Sequence, residues 1–283
     1  MQQAVVILFW FAIALYVGAT VLYVYYFSDK RRSMSIAATA LTGVGFVMNT
    51  ASIGLRSLVT HGTQIAGPNS LVLTAWALVL VYFFVEHVVR IKVYGTVLVP
   101  ISAFLLALGQ ILGVNSRAVV SLPPEQLTQL ANWSVGFHVG VILLANAGFA
   151  VGAVASAVYL LQEQQLKHHR ANKLLRRLPS LGQTDTIARR SIAVAFPAYT
   201  AGLLLGVTRA IETTPADWWL DPRVVLAGIV WVIFGGYLYL RYRTGVSGRT
   251  AAWVAIGGLV VVIVVAVMAR TVPAGFHVFG IGR

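Results

Sequence analysis

The sequence predicts an all-α fold, a polytopic membrane helical bundle of about eight transmembrane helices with both termini outside. Residues 1–283 form a single integral membrane domain in this reading. Three observations carry it. The chain is 58% hydrophobic and only 10% charged over 283 residues, with a mean hydropathy of +0.81, which leaves too few polar side chains to coat a water-soluble globule. Apolar runs long enough to cross about 30 Å of hydrocarbon at about 1.5 Å per residue recur along it. Most of the basic residues fall in alternate connections between those runs.

The runs read, in order, as 4–27, 35–58, 70–89, 94–113, 132–162, 190–211, 223–243 and 250–270. The first has neither a basic leading segment nor a small-residue cleavage site, so it is expected to stay as a helix. Gly43 and Gly45 in the second, Pro100 in the fourth, Gly148 and Gly152 in the fifth, Pro197 in the sixth and Gly235 and Gly236 in the seventh are tolerated in lipid, where packing partners satisfy freed backbone groups. The fifth run is expected to continue past the bilayer as a basic amphipathic stretch (Leu166, Leu174, Leu175, Leu178) and to break over Leu178–Asp185, at Pro179 and Gly182. Strands of alternating polarity are absent from the pattern, and no internal repeat of fixed period is apparent.

The net charge of +13 reads as a topology signal rather than a nucleic-acid footprint. Lys30, Arg31, Arg32, Arg90, Lys92, Lys167, Arg170, Lys173, Arg176, Arg177, Arg189, Arg190, Arg241, Arg243 and Arg249 all lie in the odd connections, 15 of the 21 basic residues. The positive-inside rule places those connections in the cytoplasm. The chain has no cysteine, which excludes disulfides and covalent haem attachment through its own thiols.

Two histidines and one aromatic loop are the candidates for chemistry. His138 opens the fifth run in Asn132-Trp133-Ser134-Val135-Gly136-Phe137-His138, and His277 follows the eighth in Phe276-His277-Val278. Both fall on the outer side, as does Thr213-Thr214-Pro215-Ala216-Asp217-Trp218-Trp219-Leu220-Asp221-Pro222-Arg223. Imidazoles are the usual axial ligands of haem iron. Tryptophan faces suit the flat macrocycle, and Arg56, Arg209 and Arg223 are candidates for its propionates. An aromatic belt of Trp133, Trp218 and Trp219 at the interface is the competing reading. His87, after Glu86, reads as a snorkelling residue, and His61, His168 and His169 as solvated.

These residues resemble the cytochrome c assembly proteins of the CcsA/CcmC type, most closely the HemX-like branch. Asn132-Trp133 with His138, Leu178-Pro179-Ser180-Leu181 with Asp185, Arg190-Ser191, Phe196-Pro197 and Phe276-His277 with Gly280 carry the likeness. So does Trp218-Trp219-Leu220-Asp221-Pro222-Arg223 with Trp231, which is similar to the tryptophan-rich WWD haem-handling segment. Leu220 stands where that pattern has a tryptophan, Val224 where it has a glutamate, and Tyr239 where full synthases carry an intramembrane histidine. The resemblance implies non-covalent haem b held at the outer face of the plasma membrane between His138 and His277, with Trp133, Trp218, Trp219 and Asp221 beside it. It implies a CcsB/ResB-like assembly partner and an apocytochrome c, and a component of a cytochrome c haem lyase or synthase rather than an enzyme acting alone. A HemX-type regulator of haem biosynthesis, binding a cytosolic enzyme through the basic connection 163–190, is the alternative. Besides haem and the lipid bilayer no further ligand is expected, and no nucleic acid.

Overall fold

The computed structural model describes residues 2–29, 31–60, 69–89, 91–115, 133–167, 178–213, 217–246 and 248–271. They form α1 (Gln2–Asp29), α2 (Arg32–Thr60), α3 (Asn69–Val89), α4 (Gly95–Asn115), α5 (Trp133–Lys167), α6 (Leu181–Thr213), α7 (Pro222–Tyr239) and α8 (Gly248–Thr271). All eight are long and apolar enough to cross a membrane, and no strand occurs among the described residues. The main departure from expectation is the start of α6. It begins at Leu181, directly after Pro179 and Ser180, so Thr184 and Asp185 are helical rather than part of the break. The physical reason lies in their partners: Thr184 donates to Gln162 Oε1 at 3.5 Å and Asp185 pairs with Arg241, so both polar groups are satisfied from within a helix.

The chain divides into two compact units, Met1–Ser116 with Gln164–Ser180, and Arg117–Glu163 with Leu181–Arg283. In the first, α1 buries Val5, Phe9, Ala12, Tyr16, Ala19 and Tyr23, alternating steps of four and three that define a heptad seam. The facing seam of α2 is small and polar: Ser35, Ala38, Thr42, Gly45, Asn49 and Ser52. Large side chains of one helix sit over small ones of the other. A Cβ on Gly45 would lie 2.7 Å from the Tyr16 ring, so glycine is what admits the tyrosine.

The second unit has its core in Phe149 of α5, Ile192, Ala195 and Tyr199 of α6, Val230, Phe234 and Tyr237 of α7, and Ala251 and Ala255 of α8. Phe149 and Phe234 stack with centroids 3.7 Å apart. Helices α5 and α6 run antiparallel with almost no side chain between them. A Cβ on Gly148 would fall 2.8 Å from Ala195, and one on Gly152 2.6 Å from Ile192. From the other side, a Cβ on Gly202 would fall 2.6 Å from Ile142, and one on Gly206 2.7 Å from His138. Each helix thus contributes a Gly-xxx-Gly pair, the spacing that lets membrane helices approach closely.

Although no fixed period marks the sequence, both units carry the same side-chain clamp. In the first, Trp76 Nε1 donates to Thr50 Oγ1 at 2.8 Å, and its ring stacks on Phe46 at 5.5 Å. In the second, Trp231 Nε1 donates to Thr200 Oγ1 at 3.0 Å, with Phe196 at 5.5 Å. In each case the threonine hydroxyl also donates to the phenylalanine carbonyl one turn back. Different lengths of chain separate the clamp residues in the two units, which hides the repetition from a periodic search.

One end of the second unit is closed by charge. Helix α7 passes into a π-turn over Leu240–Thr244, ended by Gly245 at φ 63°, a left-handed conformation natural only to glycine. Within it the Arg241 side chain, only 10% exposed, pairs with Asp185 and donates to the Val246 carbonyl at 3.1 Å. Arg189 lies over the Tyr242 ring at 5.4 Å. Removing the carboxylate strands the mostly buried guanidinium, so Asp185→Asn is expected to cost about 1–3 kcal/mol, while Asp185→Leu with Arg241→Met recovers most of it. Thermal unfolding in detergent, followed by circular dichroism, measures both.

Candidate functional site

His138 lies in the second turn of α5, where a glycine groove on α6 receives it. The Cβ that Gly206 lacks would sit 2.7 Å from Cε1, 3.1 Å from Nδ1 and 3.5 Å from Nε2, so the Cε1 edge of the imidazole packs against the α6 backbone. Its Nδ1 is 2.7 Å from the Gly202 carbonyl oxygen. A carbonyl only accepts, so Nδ1 is a nitrogen that carries hydrogen, and in the neutral ring the lone pair is then on Nε2. A neutral imidazole oriented through Nδ1 in this way is the form in which histidine serves as a metal ligand. Arg209 continues the Gly202/Gly206 face of α6 one turn further, and its guanidinium pairs with Glu212 at 3.1 Å.

The aromatic segment is a turn rather than an open loop. Trp218–Leu220 form one 3-10 turn, closed by Leu220 N–H to the Asp217 carbonyl at 3.0 Å and Asp221 N–H to the Trp218 carbonyl at 3.2 Å. The two indoles meet edge to face at 6.1 Å. Trp219 and Leu220 are 52% and 65% exposed. Asp221 and Arg223 are buried. The Asp221 carboxylate accepts the Arg223 N–H at 2.8 Å, and Pro222 follows it at the first helical position, so Asp221 is the N-cap of α7.

The predicted residues therefore fall into separate groups. His138 sits in the α5–α6 groove with Arg209 one turn along the same face of α6, and Trp218, Trp219, Asp221 and Arg223 form one turn and cap. Trp133 is five residues from His138, about 140° around the helix, and it is 77% exposed, a position that suits an interfacial anchor. Arg56 belongs to α2 of the first unit. His277 lies outside the described residues, as do His61, His168 and His169. His87 is exposed near the end of α3. Tyr239 is 61% exposed. The sequence reading overlooked Gly202 and Gly206, whose spacing was the available signal.

Among the described residues no group of three or more His, Asp or Glu side chains could hold a bare metal ion. An iron carried in a macrocycle asks only for axial ligands, and His138 fits that demand by its tautomer and by the cleared glycine surface beneath it.

The geometry defines a class: a membrane protein with eight membrane-length helices among its described residues and an oriented imidazole near one end of its second unit. The chain belongs to the cytochrome C assembly protein family, whose profile matches residues 66–277. That span includes His138, the Trp218–Arg223 turn and His277, and begins just ahead of α3. The cytochrome c biogenesis protein CcsA of Microcystis aeruginosa is 27% identical over 262 residues, covering 75% of this chain and 77% of its own. A CcsA of Prochlorococcus marinus is 27% identical over 274 residues, covering 88% and 85%. That of Porphyra purpurea is 24% identical over 247 residues, covering 75% and 76%.

Because Asp221 caps α7 and holds the tryptophan turn against it, Asp221→Ala is expected to lower stability by about 1 kcal/mol. Tryptophan fluorescence should report greater quencher access to Trp218 and Trp219, while Asp221→Asn, which still caps, should leave both near wild type.

Proposed function

We propose that this chain is a haem-handling membrane component of cytochrome c biogenesis, and that it holds haem b non-covalently at the outer face of the cell membrane. The two units act together as one integral membrane domain. The observation that supports the reading best is the 2.7 Å bond from His138 Nδ1 to the Gly202 carbonyl, which turns Nε2 into the ligand nitrogen. Haem would supply an iron that binds imidazole nitrogen, and His138 and His277 would hold it. Arg209 and Arg223 offer guanidinium groups to carboxylates, with Arg56 as a further candidate, and Trp218 and Trp219 offer aromatic area while Asp221 fixes their turn. Trp133 anchors the head of α5 at the interface.

The names of the relatives, all cytochrome c biogenesis proteins, support the same assignment. The chain carries no cysteine, so in this reading the thiols come from an apocytochrome c and a CcsB/ResB-like partner completes the assembly. The chain works as part of a lyase or synthase rather than as an enzyme by itself. The HemX-type alternative requires the 163–190 connection to capture a cytosolic haem-biosynthesis enzyme. A pull-down with that segment that returns such an enzyme, from protein that carries no haem, would favour it.

Protein purified from haem-replete cells should show a haem absorption spectrum. His138→Ala should shift it towards a high-spin form and weaken retention, with partial recovery on adding imidazole. Gly206→Ala should reproduce the shift with the histidine still present, because its Cβ occupies the place of the ring. A wild-type protein without haem, or a double His138→Ala/His277→Ala variant with an unchanged spectrum, would contradict the assignment.

Sidedness is tested separately. A cysteine at Thr214 should label with an impermeant thiol reagent in intact cells, whereas one at Ser180 should not. The opposite pattern would put the site on the cytoplasmic face and remove it from the assembly pathway proposed here.

A further inference from the structure

The first unit buries a carboxylate within the membrane-spanning length of α3. Glu86 is 9% exposed. Its Oε1 accepts from Thr39 Oγ1 at 3.1 Å and lies 3.6 Å from Lys92 Nζ. Its Oε2 is buried and finds no hydrogen-bond partner among the described residues. An ionisable side chain at such a place carries a large desolvation cost, which is why it marks a functional site more often than a structural one.

What surrounds Glu86 is a single file of hydroxyls. Tyr82 Oη donates to Tyr23 Oη at 2.8 Å, and Tyr23 Oη lies 3.2 Å from Thr39 Oγ1, which reaches Glu86. Tyr82 is one helical turn further into α3 than Glu86, so the file runs inward from the end where α1 joins α2. Thr39 has one hydrogen and two acceptors, the Ser35 carbonyl at 3.0 Å and Glu86. Its hydroxyl can therefore switch. Each of these hydroxyls is able both to donate and to accept, so the Thr39–Tyr23 and Tyr23–Tyr82 bonds reverse, with Tyr82 becoming the acceptor, when the carboxyl at the end of the file gains a hydrogen to donate.

The charged and titratable groups facing Glu86 are Tyr23 of α1, Tyr82 of α3 and Lys92 in the turn before α4. From α2 come only the Thr39 hydroxyl and, against Lys92, the Ser35 carbonyl at 3.5 Å. Lys92 Nζ has acceptors besides Glu86, the Ser35 carbonyl at 3.5 Å and Thr39 Oγ1 at 3.3 Å. The head of α4 is shaped for the file: a Cβ on Gly95 would lie 2.6 Å from Tyr82 Oη and 2.8 Å from the Tyr23 ring.

The second unit supplies a contrast. Counting from the tryptophan of each clamp, Glu86 on α3 and Arg241 in the π-turn that continues α7 occupy the same register position. Arg241 is matched by a close carboxylate, whereas Glu86 meets its lysine only at 3.6 Å. Two of the helices that build its surroundings, α1 and α2, lie ahead of the span the family profile matches.

We propose that Glu86 is a proton-binding site. It takes a proton reversibly from the aqueous phase where α1 joins α2, and the Thr39–Tyr23–Tyr82 file reverses its hydrogen bonds in response, carrying the change one turn into the bundle. The step balances as carboxylate plus a proton from water giving a carboxylic acid, with no redox change.

Infrared difference spectroscopy of the purified full chain during a pH titration tests it. A protonated-carboxyl band should appear reversibly while the helical circular dichroism stays constant, accompanied by a tyrosine C–O shift with the same midpoint. Glu86→Gln should lose both signals. Tyr82→Phe and Tyr23→Phe, which leave the carboxylate in place, should keep the carboxyl band and lose or halve the tyrosine shift, and they serve alone if Glu86→Gln does not fold. The proposal is overturned if Glu86→Gln and wild type give the same carboxyl titration, or if the tyrosine shift survives unchanged in both phenylalanine variants. Either result leaves Glu86–Lys92 as a structural ion pair only.

Discussion

The backbone-close contact of α5 and α6 is the constraint on which the site depends. Four glycines make it, two on each helix, and each faces a side chain that would collide with any Cβ. In lipid, helices gain little from burying apolar area against one another, so association rests on such dense packing. Placing Gly202 and Gly206 under Ile142 and His138 does two things at once. It brings the Gly202 carbonyl within reach of the imidazole, and it removes the bulk that would turn the ring away. The tautomer of His138 is thus a consequence of helix packing.

Each unit repeats one local solution, in which a tryptophan of one helix is tied to a threonine and stacked on a phenylalanine of another. The hydrogen bond satisfies an indole N–H that lipid could not, and the threonine keeps its own bond to the helix behind it. Around this shared clamp the units differ in their polar content. The first places hydroxyls, an amide and a carboxylate along α1–α3, including Tyr16, Asn49 and Glu86 in its interior. Among its described residues the second buries charge at Asp221 and Arg223 at the head of α7, and pairs the mostly buried Arg241 with Asp185 at the other end.

The helical architecture was legible because apolar length in a bilayer is a one-dimensional quantity: all eight runs became helices, with boundaries displaced chiefly at α6. Asp185 was read as part of a break because an acid beside Pro179 and Gly182 favours one locally, whereas its distant partner Arg241 makes helix the better state. Asp221 was read as a flank of the aromatic platform; its capping role needed the position of Arg223 N–H. Trp133 was grouped with His138 by nearness in sequence, although five residues on a helix point two side chains in different directions. Attention to His87 missed Glu86, since only the fold separates an exposed side chain from its buried neighbour. Lone histidines carry no partner information, so the Gly202 bond of His138 could not be foreseen, though the Gly-xxx-Gly spacing beneath it was present in the sequence.

The central claim is that helix packing fixes a hydrogen of His138 on Nδ1, so that the lone pair of the neutral ring falls on Nε2. Nitrogen NMR of haem-free protein labelled at histidine, with His138 assigned by its loss in His138→Gln, measures this directly. The account predicts the Nδ1-protonated pattern for His138, exchanging into the opposite or averaged pattern in Gly206→Ala. Finding hydrogen on Nε2 in the wild type, or no change when the glycine groove is filled, would contradict it.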